Sequence, residues 1–123
     1  MLSKNPVKCF QRGIVELCGN FTLAAAGAVD VTTGQGFSVV HTGTGVYTIT
    51  FSDFYNEFIC GNCNVQYETG ASTNFDLIAQ FGLWTTADRT LVIRIWDYSG
   101  AALADPADND SIHFSVKMRW TTV

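Results

Sequence analysis

Charge is scarce in this chain. Charged residues make up 15% of the sequence, against about a quarter in an average soluble domain. Basic residues are scarcer still, with 7 Lys and Arg against 11 Asp and Glu and a formal net charge of -4. Neutralising phosphates takes clustered Lys and Arg, so this balance argues against nucleic acid as a partner. Long apolar runs are missing too. The blandest stretch, Leu23 to Val29, is far shorter than the about 20 apolar residues that span a bilayer. No apolar segment follows the opening Met1 to Phe10 as a secretory leader requires. The expectation is a soluble protein made in a cytoplasm, without a membrane partner.

Signatures of catalysis are also lacking. The sequence has no G-x-S-x-G elbow, no H-E-x-x-H pair and no glycine loop that cradles phosphate ahead of a helix. Its 2 histidines, His41 and His113, each stand on an alternating strand pattern. A non-enzymatic protein without a cofactor is expected. Helix signals are poor as well. Ser52 to Ile59 is the one candidate, with Ser52 as cap and Phe54, Tyr55 and Phe58 facing inward over a single turn.

What the chain does have is strand chemistry. Tyr47, Ile49 and Phe51 alternate with Val46, Thr48 and Thr50, and Leu91, Ile93 and Ile95 alternate with Val92, Arg94 and Trp96. In the last strand Ile112, Phe114, Val116, Met118 and Trp120 share one face, and His113, Ser115, Lys117 and Arg119 the other. A slip of one residue would bury Lys117 and Arg119, so the register is firmly set. Further strands are expected at Lys8 to Leu17, Phe37 to Thr42, Cys63 to Glu68 and Asn74 to Phe81, with short pairing segments at Phe21 to Leu23 and Ala28 to Val31. Turns are read at Cys18-Gly19-Asn20, Thr33 to Gly36, Gly61-Asn62, Thr69-Gly70 and Ser99-Gly100, and Thr42 to Gly45 reads as a tight hairpin. The prediction is one domain over 1–123, an all-β antiparallel sandwich of jelly-roll or Greek-key type with about eight strands. Residues 1–12 are expected to form an extended arm.

The 4 cysteines carry the one metal-like spacing. Cys60-Gly-Asn-Cys63, read as a turn, would aim two thiols at one ion, with Cys9 and Cys18 as the obvious further donors. Along a strand at about 3.3 Å per residue, however, Cys9 and Cys18 lie roughly 30 Å apart unless the strand breaks near Gly13. Free or structural cysteines are the expected state, with a disulfide as the next alternative and a metal site, for which Cys60 and Cys63 are the candidate pair, as the last. Asp105, Asp108 and Asp110 crowd one late loop. They suit either a hard cation or a surface turn whose carboxylates satisfy backbone groups. Lys4, Lys8 and Arg12 make the opening segment basic, either as solvated charge or as an arm lying on an acidic partner. Aromatic residues are numerous. Trp84, Trp96, Tyr98 and Trp120 fall at strand ends or on the less apolar faces, as packing groups of the core or a subunit contact, or as platforms for a sugar ring. A chain this poor in charge also suits an oligomer or a component of an assembly.

The run from Gly43 to Phe51 (GTGVYTITF) and the run RIWDYSGAALADPADNDSIHFSVKMR within Leu91 to Arg119 resemble small β-sandwich structural proteins of tailed phages. These are the capsid decoration (cement) proteins and related fibre or knob modules. The likeness covers about two-thirds of the chain and departs from the lambda-type decoration protein, which carries an extended arm rich in Pro and Thr. It implies a non-enzymatic virion protein on the outer capsid surface, a homotrimer whose partners are the major capsid protein and itself. On that reading Lys4, Lys8 and Arg12 contact the capsid, and Trp84, Trp96, Tyr98 and Trp120 face another copy or a ligand. The alternatives are a tail-fibre or receptor-binding module that takes a host glycan, and a small metal- or carbohydrate-binding β domain.

Overall fold

The computed structural model describes residues 13–68 and 76–119. These form nine strands: β1 Ile14–Leu23, β2 Val29–Thr33, β3 Phe37–Gly43, β4 Val46–Phe51, β5 Glu57–Gln66, β6 Leu77–Thr85, β7 Thr90–Asp97, β8 Ala102–Leu103 and β9 Ser111–Arg119. Between β1 and β2 sits a short 3-10 turn, Ala25–Gly27. No helix among the described residues is long and apolar enough to cross a membrane.

Two antiparallel sheets face each other. One runs β2-β1-β9-β5, and the other β3-β4-β7-β6 with the short β8 paired to β7. The all-β sandwich expected from the alternation is the fold observed. Strands far apart in sequence lie side by side, β1 against β9 and β4 against β7, as in Greek-key connections. The inward faces of β4, β7 and β9 are those read from the sequence, and β1 adds Phe21 and Leu23. Tyr47, Ile49, Phe51, Leu91, Ile93 and Ile95 from one sheet meet Phe21, Leu23, Ile112, Val116 and Met118 from the other, all fully buried. Complete burial of one such aliphatic side chain contributes about 1.5–3 kcal/mol. Two ring pairs bridge the sheets edge to face, Phe37–Phe114 at 4.9 Å and Phe58–Phe81 at 5.4 Å between centroids.

The Thr42 to Gly45 hairpin joins β3 to β4 as expected, with Gly45 at φ +68°. A Cβ there would press on Ile95 O and Ala104 N at 2.8 Å. The short segments also pair, Thr22 with Val31 and Leu23 with Val29.

Two expected turns are strand interiors instead. Cys18-Gly19-Asn20 lies in the middle of β1, whose register with β9 runs unbroken from Ile14 opposite Arg119 to Thr22 opposite Ser111. Gly61-Asn62 lies inside β5. Gly19 makes room for a ring across the core, and Gly61 for the backbone of β9 as well as a ring. A Cβ on Gly19 would collide with the Phe37 ring, and one on Gly61 with Ser115 O and the Phe81 ring. A strand glycine of this kind marks close approach of a neighbour rather than a reversal.

The expected helical turn at Ser52 to Ile59 does not form. Residues 52–56 connect the sheets in an irregular path, and Glu57 opens β5. The apolar spacing has a different cause at each position. Tyr55 plugs the core edge-on to Phe51 at 5.8 Å, Phe58 is an inward strand residue, and Phe54 stays exposed beneath the Arg89 guanidinium at 4.6 Å. Asn56 N–H donates to Arg119 O at 2.6 Å, so pairing with β9 begins where a helical bond would have been needed. Of the strand expected at Asn74 to Phe81, residues 74 and 75 lie outside the described residues; the rest opens β6 at Leu77, which runs on through a bulge between Phe81 and Trp84 to Thr85. The proposed arm at 1–12 lies outside the described residues.

Candidate functional site

The outer face of the five-stranded sheet is assembled from the residues that alternate with its core. Register sets them in rows: Val40 beside Thr48 and Val92, Val46 beside Arg94 and Gln80, Thr50 beside Thr90 and Thr85, and Ile78 beside Trp96. Arg94 is the one formal charge in these rows. Val40 is 56% exposed, Ile78 41%, and Leu83, projecting at the β6 bulge, 66%. β-branched residues fill this surface because they pack well on a pleated sheet. Its near-absence of charge is what distinguishes it from an ordinary solvated face.

At one end of this face Ile78, Gln80, Trp96, Asp97, Tyr98 and Ala101 line an open cleft of about 330 Å³. Tyr98 is among the most exposed side chains, and Trp96 forms the wall beside Ile78. Asp97 ties down the cleft's rim. Asp97 Oδ1 accepts the Ser99 N–H at 3.0 Å and the Ser99 hydroxyl at 2.7 Å. Of the aromatic candidates among the described residues, Trp96 and Tyr98 are therefore the outward pair. Trp84 is not outward-facing. The β6 bulge turns it toward the core, where its ring lies 5.9 Å from that of Phe51. Its indole N–H is buried with no hydrogen-bond partner among the described residues. Trp120, Lys4, Lys8 and Arg12 lie outside the described residues.

The Cys60/Cys63 pair does not make a chelate. Because β5 runs through both, the two side chains fall on opposite faces: Cys60 stands opposite Lys117 on the outer surface, and Cys63 opposite the inward Phe114. Burial pushes the Cys63 thiol up to about 12, away from the thiolate that binds metal. Cys18, Cys60 and Cys63 are free, and Cys9 lies outside the described residues. No cluster of three or more His, Cys, Asp or Glu side chains placed to hold a metal occurs among the described residues.

The acidic loop serves the backbone. Asp110 is fully buried, and its two oxygens accept the Glu68 N–H at 2.9 Å and the Ala107 N–H at 3.0 Å. Asp105 Oδ1 accepts the Gly45 N–H at 2.6 Å and lies 2.9 Å from His41 Nε2. The His41 ring stacks on Tyr47, whose hydroxyl donates to Gly27 O at 2.8 Å. Burial, and secondarily Asp105, raise the Tyr47 pKa, which keeps that hydroxyl a donor. Only the Asp110–Ala107 bond is a local turn contact of the kind anticipated; Asp110, fully buried, and Asp105 otherwise tie the loop to Glu68, Gly45 and His41 from distant parts of the chain.

The sequence named the outward residues of β4 and β7 without joining them into one surface. The available signal was that Val46, Thr48, Thr50, Val92 and Trp96 accompany a single charge. Compared with protein-family models, curated proteins and solved structures, the chain matches none of them.

Proposed function

We propose that this protein is a non-enzymatic structural module that docks through the outer face of its five-stranded sheet, and that it serves as a phage capsid decoration (cement) protein. The observation that carries the reading is the face itself, whose paired rows hold Arg94 as their one charge, with Asp97 at the cleft on its end and Val40, Ile78, Leu83 and Trp96 exposed. Covering such a surface strips few charges of water, and the cost of desolvation is correspondingly low. Trp96, Tyr98 and Arg94 belong to the residue types that anchor interfaces. The likeness of the Gly43 to Phe51 and Leu91 to Arg119 runs to phage decoration proteins supplies the partners: the major capsid protein and further copies of this chain, as a trimer. Lys4, Lys8 and Arg12 are the proposed capsid contacts in the opening segment.

Band stoichiometry in purified virions tests this reading. A copy number comparable to that of the major capsid protein is expected. A small fraction of that number would favour a tail-fibre or receptor-binding module instead.

A further inference from the structure

The opposite face of the sandwich has a different chemistry. Register across β1, β9 and β5 sets Asn20, His113 and Asn64 in one row, and Cys18, Ser115 and Asn62 in the next. Strands lie about 4.8 Å apart and same-face residues follow at about 6.8 Å, so these six side chains cover a patch roughly 10 Å by 7 Å. That is the footprint of one or two pyranose rings. A groove of about 360 Å³ lies over the patch, closed on the β2 side by Thr33 and Gly34. It continues into a hollow above Asn64, Gln66 and His113.

From this arrangement we propose that the outer face of the four-stranded sheet is a binding site for a neutral saccharide. No side chain in the two rows is a formal charge. Charge returns in the very next row, where Glu16 stands opposite Lys117, and again where Arg119 pairs with Glu57 at 2.8 Å. On the other side the uncharged surface runs on through Thr22, Ser111 and Gln66, so the groove and its hollow lie wholly within a neutral part of the face. The amides of Asn20, Asn62 and Asn64 make no side-chain hydrogen bond to another described residue. Each offers two N–H donors and a carbonyl acceptor, the complement of vicinal hydroxyls that both donate and accept.

His113 is held in place for the same task. Its Nε2 lies 2.6 Å from Gln66 Oε1 and 3.1 Å from the Ser111 hydroxyl. With Gln66 Oε1 as acceptor, the proton of the neutral ring sits on Nε2 and Nδ1 becomes an acceptor, fixed in direction. An apolar ligand would leave the amides unpaired, and an ion would find no countercharge in the two rows. An extended peptide is a poorer fit. It adds to a sheet at an edge, where backbone bonds are open, whereas this groove is centred on β9, whose backbone is paired on both sides by β1 and β5.

The test is an amide-resolved NMR titration of the full chain with cellobiose, maltose, lactose and N-acetyllactosamine at millimolar concentrations, with a neutral Ser/Gly peptide alongside. At least one sugar is expected to shift the amides of residues 20, 62, 64, 113 and 115 saturably. The N62A/N64A double variant is expected to weaken that binding by about tenfold or more, as loss of two hydrogen bonds implies. The unchanged remainder of its spectrum reports that it is folded. The proposal is overturned if no sugar shifts these amides, if the shifts centre on Trp96 and Tyr98, if the double variant binds as tightly as the native chain, or if the peptide alone binds the groove.

Discussion

Asp105 Oδ1 accepts the Gly45 N–H at 2.6 Å and ties the β3–β4 hairpin to the loop that leads into β9. The two residues are 60 positions apart, so a local turn is completed by a distant carboxylate that also faces His41 Nε2 at 2.9 Å. Replacing Asp105 by Ala leaves that N–H unpaired in a half-buried site. The expected loss is about 1–3 kcal/mol in urea unfolding, with a smaller loss for Asp105→Asn, which keeps a neutral acceptor. Equal stability of all three proteins would show that the tether contributes nothing.

Gly19 exists for the Phe37 ring. Gly19→Ala places a methyl where that ring lies, and overpacking of this kind costs about 1–3 kcal/mol. Adding Phe37→Leu should recover part of the loss, giving a coupling that thermal unfolding of the two single variants and the double variant measures. Strictly additive effects would mean that the glycine answers to something else.

Cys63 is expected to resist alkylation. Its folded thiol is raised to about 12 by burial, whereas an unfolded cysteine titrates near 8.5. A raised acid favours the folded state while it is neutral in both states. That contribution is complete below about pH 8.5 and declines as pH rises from there toward 12. Iodoacetamide followed by peptide mass analysis should modify the exposed Cys18 and Cys60 well before Cys63. Cys63→Val should remove part of the alkaline loss of stability. Labelling of Cys63 at the rate of Cys60 would contradict its inward placement.

Much of the fold is legible in the residues because β4, β7 and β9 carry strict period-two alternation, with large aliphatic side chains on one face. β1 and β5 are harder to read for a physical reason. Their inward positions include Gly19 and Gly61, which look like turns but are hollows filled by Phe37 and Phe81 from the facing sheet. Once those turns are removed, Cys18, Asn20 and Thr22 fall on one face of β1, and Asn62, Asn64 and Gln66 on one face of β5. The neutral array of the four-stranded sheet was therefore hidden by the same misreading that made Cys60 and Cys63 look like a chelate. Of the placements the sequence left open for Trp84, core packing is the one observed, because a bulge invisible in composition shifts its register relative to Phe81.

Val40→Lys combined with Leu83→Lys puts two charges on the proposed docking face at positions 56% and 66% exposed. Exposed substitutions of this kind change stability by about 0.5 kcal/mol or less. Binding to capsids stripped of this protein should nevertheless be lost, because two ammonium groups would have to be desolvated. Pelleting of the folded double variant with capsids, to the same occupancy as the native chain, would exclude this face.

The most direct measurement is a density map of the virion that locates the sandwich and its orientation. Docking through the five-stranded sheet predicts many copies on the outer shell, with Val40, Leu83, Arg94 and Trp96 buried against the capsid or a neighbouring copy. A sandwich found on the tail, or one on the shell with that face turned to solvent, would contradict the account.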